Sequence, residues 1–132
     1  MEARAVNPWK WQDDLGFSQA VETSGMQRVL ACAGQTSVDA NGAPLHPGDM
    51  GAQVKQALDN LEAVLEQAGL GLANVVRLNF YTTDVDAFLP ASGEIAQRVR
   101  AAGGAPPAGT LLGVTRLAFP ELLVELEATA VA

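Results

Sequence analysis

The chain has one cysteine, one histidine and one tyrosine in 132 residues. A lone cysteine excludes an intrachain disulfide and fits a reducing compartment, so a cytoplasmic setting is expected. His46 has no second histidine or cysteine cluster to join, and zinc needs three or four ligands, so no metal site is expected. Basic residues are also scarce: 8 Lys and Arg stand against 15 Asp and Glu, for a formal net charge of −7. They are scattered rather than grouped, a phosphate backbone is repelled on average, and no nucleic-acid partner is expected. No apolar run approaches the roughly 20 residues of a membrane span. No basic-then-apolar segment at the start resembles a signal peptide, so no membrane partner is expected either.

What the chain does have is core material. Hydrophobic residues make up 48% and charged residues 17%, which reads as one globular domain over residues 1–132. Cys32, between Ala31 and Ala33 in an apolar run, reads as a buried structural thiol rather than a nucleophile. Trp9 and Trp11 share alternation parity near Pro8. They read as core or subunit-interface filling, with an aromatic ligand platform as the alternative.

Hydrophobic periodicity predicts the elements. Val54, Leu58, Leu61, Leu65 and Ala68 recur every three or four residues, one apolar stripe on a helix over 49–69, with Asp49 as N-cap and Gly69 as stop. Residues 74–83 alternate as a strand with one buried face. A second helix is expected over 86–102, weakened by Gly93, with Pro90 fitting only near its first turn. Short strands are expected at 17–21 and 28–34, separated by a turn at Thr23-Ser24-Gly25. At the end, 110–117 and 122–130 read as a hairpin joined by Ala118-Phe119-Pro120-Glu121. The order strand, strand, helix, strand, helix, strand, strand gives an α+β class, a sheet with both helices on one face.

Five segments carry a family resemblance: Gly16-Phe17-Ser18-Gln19-Ala20, Ala33-Gly34-Gln35, Gln56-Ala57-Leu58-Asp59-Asn60-Leu61, Val75-Val76-Arg77-Leu78 with Tyr81-Thr82-Thr83-Asp84, and Pro106 to Ala128. In order and spacing they resemble the RidA/YjgF family, from about Gly16 to Ala130. The resemblance implies a chorismate-mutase-like fold, a mixed sheet with two helices on one face, assembled as a homotrimer with small-molecule pockets in clefts between subunits. It also implies hydrolysis of reactive enamines and imines, and no cofactor is expected. Some relatives carry a ribonuclease label, to which the charge of this chain gives no support.

Residue by residue, the implied pocket departs from the family pattern. The family's tyrosine is Phe17 here, its serine is Ala33, and its asparagine aligns best with Ser92. Its carboxylate-binding arginine is Gly109, and the frequent cysteine two residues on is Leu111. Only the glutamate, Glu125, is retained, the group the family is proposed to use with the attacking water. Thr110 adds a hydroxyl and an N–H beside Gly109. A guanidinium holds a carboxylate through two parallel hydrogen bonds that no other side chain reproduces. Strand parity over 109–116 points Arg116 away from the pocket, and Arg98 and Arg100 reach a cleft only through subunit packing. Glu125, with Phe17, Ala33 and Leu111 as expected neighbours, should be pushed up by desolvation.

A neutral or cationic ligand is therefore expected, with hydrolysis by Glu125 and water. The alternatives are an ordinary imine deaminase and a non-catalytic binding or regulatory trimer. Glu125 and Glu127 equally fit a solvated strand face or an interface salt-bridge pair.

Overall fold

Asp49 starts the longest helix. Its carboxylate accepts the Ala52 N–H, satisfying a first-turn donor. The helix, α1, spans Met50–Gln67, and Gly69 beyond it takes a φ of 74°. Val54, Leu58, Leu61 and Leu65 are fully buried, so the stripe lies where its periodicity puts it. This computed structural model describes all 132 residues. None of its helices is long and apolar enough to cross a membrane.

Seven strands accompany α1: β1 (Glu2–Val6), β2 (Ala20–Ser24), β3 (Val29–Ala31), β4 (Gln35–Thr36), β5 (Val75–Thr82), β6 (Leu111–Gly113) and β7 (Val124–Val131). The main sheet runs β3-β7-β5-β6, with β4 also on β7. Only β5 and β6 are parallel. Along β7, Val124, Leu126, Ala128 and Ala130 are buried against α1 in one core cluster with Leu78 of β5. Glu125, Glu127 and Thr129 turn to the opposite face, as a two-residue repeat requires. The helices cover one face only, the expected α+β arrangement.

The expected second helix is two. α2 (Val85–Ala91) and α3 (Gly93–Ala102) meet at Ser92, whose hydroxyl donates to the Leu89 carbonyl. Pro90 lies in the last turn of α2 rather than near the helix start. It brings no N–H to the ladder, and Gly93 follows, so the break falls between them. Arg98 of α3 ties back to α1 through Asp59 and Glu62, and pairs with Glu94 on its own helix.

The C-terminal hairpin is not formed. β6 pairs in parallel with β5, and β7 lies on the other side of β5. The connecting residues are held elsewhere: Gln53, fully buried on α1, donates to the Glu121 and His46 carbonyls and accepts the Leu123 N–H. Thr82 adds a hydroxyl bond to the Leu123 carbonyl. The 118–121 segment thus carries the chain across β5 instead of folding it back.

Two N-terminal readings also shift. The strand expected at 17–21 is β2, three residues later, and of the expected turn only Gly25 leaves the extended region, with a φ of 66°. β1 had no strand signal and pairs antiparallel with β2, supported by an Arg4–Glu22 ion pair at 3.0 Å. Trp9 and Trp11 are 58% and 63% exposed, so neither fills the core of this chain.

Replacing the fully buried Gln53 by Leu removes the partner of the His46 and Glu121 carbonyls and of the Leu123 N–H. Each such group costs about 1–3 kcal/mol. The expected loss in a urea melt is roughly 3 kcal/mol, and a change near zero would show that the 118–123 crossing is held by something else.

Candidate functional site

Between α2, α3 and the β5–β6 edge lies a cleft of about 300 Å³, lined by 15 residues of which 10 are hydrophobic. Phe80, Phe88, Leu89 and Ile95 form its walls, and no charged side chain lines it. Five of the residues singled out from sequence line it together: Phe17, Ser92, Gly109, Thr110 and Leu111. Phe17 is brought there by the N-terminal segment, which is tied down at Ser18. The Ser18 hydroxyl donates to the Pro106 carbonyl at 2.6 Å and its N–H to that of Pro107. Trp11 packs edge-on against Phe17, ring centroids 5.8 Å apart.

Gly109 is glycine for a local reason. The Leu78 N–H donates to the Ala108 carbonyl and the Phe80 N–H to that of Thr110, so the chain at 109 lies flat against β5. A Cβ built on Gly109 would overlap the Leu78 carbonyl oxygen. A backbone atom cannot step aside as a flexible side chain does, so this path of the chain excludes any side chain at 109.

Glu125 and Ala33 are not in the cleft. Glu125 is on the face of β7 turned away from the helices, so the expected neighbours Phe17 and Leu111 lie on the other side of the sheet. Parity along β7 dictates this, because Val124 and Leu126 must face the core. The carboxyl of Glu125 instead lies over Gly34, where a Cβ would collide with it. Ala33 is exposed. Opposite Glu125 on β5 is Tyr81, and opposite Glu127 is Asn79.

The two glutamates have different surroundings. Burial, then the charge of Glu127, pushes the Glu125 carboxyl above the usual carboxylate range, the direction expected from sequence though with different neighbours. Hydrogen bonds from Asn79 and Tyr81 hold Glu127 below it. The Asn79 amide donates at 3.1 Å and the Tyr81 hydroxyl at 2.9 Å, both to Oε1. Asn79 in turn accepts the Thr110 N–H through Oδ1 at 3.2 Å. Thr110 therefore touches both places: it lines the cleft and closes the polar chain on the outer face.

The arginines are distributed as follows. Arg98 is held by Asp59, Glu62 and Glu94. Arg116 is exposed and lies beyond the three residues of β6, so parity does not govern it. Arg100 is exposed and lies beside Gly16 at the cleft rim, with Nη2 3.8 Å from where a Gly16 Cβ would stand. Cys32 is buried, and burial pushes its thiol up, away from thiolate reactivity.

A sequence profile of the family described as Endoribonuclease L-PSP matches residues 12–132. The chain belongs to the RidA/YjgF family. It is 38% identical to the Rid-family protein YyfB of Yersinia pestis, a protein of unknown function, with all of both chains covered and a TM-score of 0.89. It is 32% identical over 114 residues to a RutC family protein of Pyrococcus horikoshii, covering 86% of this chain and 85% of that one. It is 28% identical over 127 residues to the 2-iminobutanoate/2-iminopropanoate deaminase of Escherichia coli K12, covering 96% and 89%. The mixed sheet with helices on one face is the chorismate-mutase-like fold of the YjgF/Rid structures.

Several residues in the RidA-like segments turn out to be structural. Asn60 donates to the Thr36 and Val38 carbonyls and accepts from Gln56, tying α1 to β4. Asn79, Tyr81, Glu127 and Gly34 were not singled out as site residues. The alternation of Asn79 and Tyr81 with Leu78 and Phe80, matched to that of the two glutamates, was the signal that could have grouped the first three. Gly34 follows from no sequence pattern, since the carboxyl that lies over it comes from Glu125, far away in the chain.

Two outcomes are expected. Gly109→Ala or Gly109→Arg should cost about 3 kcal/mol of stability or prevent β6 from pairing, because overpacking against backbone has no cheap relief. A stable Gly109→Arg protein would contradict the close approach. Separately, Glu125 is raised in the folded chain, which therefore binds more protons than the unfolded chain above the unfolded value, about 4.3. Ionising it lowers stability as pH rises through that window. Glu125→Gln should raise the melting temperature at pH 7 and lose that advantage by pH 4. A variant no more stable than wild type at pH 7 would count against the crowded carboxyl.

Proposed function

We propose that this RidA-family chain binds a small neutral or cationic molecule in a pocket completed between the copies of a homotrimer, and hydrolyses a C–N bond in it with Glu125 and water. The observation that carries this reading is the cleft itself: apolar walls, no charged lining side chain, and a backbone at Gly109 that excludes the family's arginine. An anionic group seated there would be desolvated without a partner. The cleft and the glutamate pair lie on opposite faces of one sheet, which is why assembly enters the proposal. A second copy can bring its Glu125 face to the cleft of the first. Exposed Trp11, packed on the cleft residue Phe17, supplies apolar surface for such a contact. The buried, unreactive Cys32 agrees with a cytoplasmic setting.

A second reading is an ordinary imine deaminase acting on a 2-imino acid. The similarity to the Escherichia coli deaminase favours it, and Arg100 at the rim offers a guanidinium. A third, a binding trimer without catalysis, keeps the cleft and discards the Glu125 chemistry.

A thermal-shift series separates them, since only ligands of the native state raise the melting point. Neutral and cationic imine analogues should stabilise the protein, and 2-keto acids should not. Hydrolysis of a neutral imine should fall at least about tenfold in Glu125→Gln, within the usual contribution of an acid–base group. Stabilisation by 2-keto acids that disappears in Arg100→Gln would favour the second reading. Ligand binding without turnover would favour the third.

A further inference from the structure

The outer face of the sheet treats its two glutamates unequally. Oε1 of Glu127 accepts hydrogen bonds from both Asn79 and Tyr81. The Thr110 N–H occupies Oδ1 of Asn79, which leaves the Asn79 amide nitrogen to face Glu127. Glu127 is thereby fixed as an acceptor, the role of an ionised carboxylate. Glu125, two residues earlier on the same face, accepts no side-chain hydrogen bond and lies over the bare backbone of Gly34.

We propose that Glu127 is a positioning residue for Glu125: pinned by Asn79 and Tyr81, it keeps a fixed negative charge beside its neighbour and so makes Glu125 the more readily protonated of the two. The proposal rests on the reading of Glu125 as the group that acts with water. No cation offsets the arrangement. From β5 Glu125 faces Tyr81, from β4 it faces Thr36 and the adjoining Gly34, and on β7 the only charged neighbour is Glu127. Arg77 lies opposite Thr129, beyond Glu127, and forms no ion pair. A fixed like charge on the same strand face disfavours a second anion, so Glu125 is the carboxyl that protonates first as pH falls.

The consequence is an order of events. In its protonated form Glu125 gives its proton to the imine nitrogen, whose lone pair forms the new N–H bond. Its carboxylate then takes a proton from water as the water oxygen bonds to the carbon, giving a neutral carbinolamine. Glu125 next protonates the amine nitrogen. It finally takes the hydroxyl proton as the C–N bond breaks, leaving a carbonyl, a free amine and Glu125 protonated again. A cationic substrate enters after the first transfer, which needs Glu125 ionised, so neutral imines and iminium ions should have opposite pH dependence.

The test is a carbon-detected NMR titration of the glutamate carboxyls in the full chain. In wild type the Glu125 midpoint should lie above that of Glu127. In Glu127→Gln the Glu125 midpoint should fall, by about half a pH unit or more for the loss of an adjacent charge. In Tyr81→Phe, which keeps the strand and removes one donor, the Glu127 midpoint should rise. An unchanged Glu125 midpoint in Glu127→Gln, or a Glu127 midpoint above that of Glu125 in wild type, overturns the proposal. The pH profile of neutral-imine hydrolysis should shift with Glu125 in Glu127→Gln. Full hydrolysis by Glu125→Gln would instead overturn the functional reading, whatever the titration of the pair.

Discussion

The alternation along β7 positions everything else. This strand lies inside the sheet, with β3 and β4 on one edge and β5 on the other. Its even-numbered residues face α1 and are buried, from Val124 to Ala130. Slipping the register by one residue would put Glu125 and Glu127 into the core, where an unpaired charge is intolerable, so the register is strongly fixed. The same constraint turns both glutamates toward the face the helices leave uncovered. That face acquires its chemistry because β5, read in the same register, sets Asn79 and Tyr81 opposite them.

The cleft depends on a different contact, the flat approach of the chain at Gly109 to β5. It brings Leu111 beside Phe80 and leaves an apolar gap under α3. The backbone path that builds the cleft has no room for a Cβ at that position. The flat path at Gly109 and the apolar lining belong to the same stretch of chain, and Thr110 is the point where the cleft adjoins the polar face.

The amphipathic stripe of α1, its caps and the alternation of β5 were legible in the sequence because each is a local pattern repeated several times. β1 was not, because Glu2, Arg4 and two alanines give little hydrophobic contrast in a strand whose partner is another exposed strand. The hairpin reading failed on a tertiary interaction: Gln53, some 70 residues away in the chain, holds the crossing. Phe17, Ser92, Gly109, Thr110 and Leu111, grouped through the family resemblance, line one cleft, whereas Ala33, grouped with them, does not. The alternation of Glu125 with Val124 and Leu126 places it on the face opposite the cleft of its own chain. The role of Gly34 was illegible, since a glycine that seats a side chain far away in sequence leaves no local trace.

The apolar cleft and the glutamate face are separated by the sheet in one chain, and in the proposed function they meet only in an assembly. A crystal structure of the assembled protein with a neutral imine analogue tests it most directly. The account predicts the analogue in the Phe80–Phe88–Ile95 cleft of one protomer, with the Glu125 carboxyl of a neighbouring copy within hydrogen-bond reach, directly or through one water. An analogue bound wholly within one protomer, with every Glu125 carboxyl remote from it, would contradict the account.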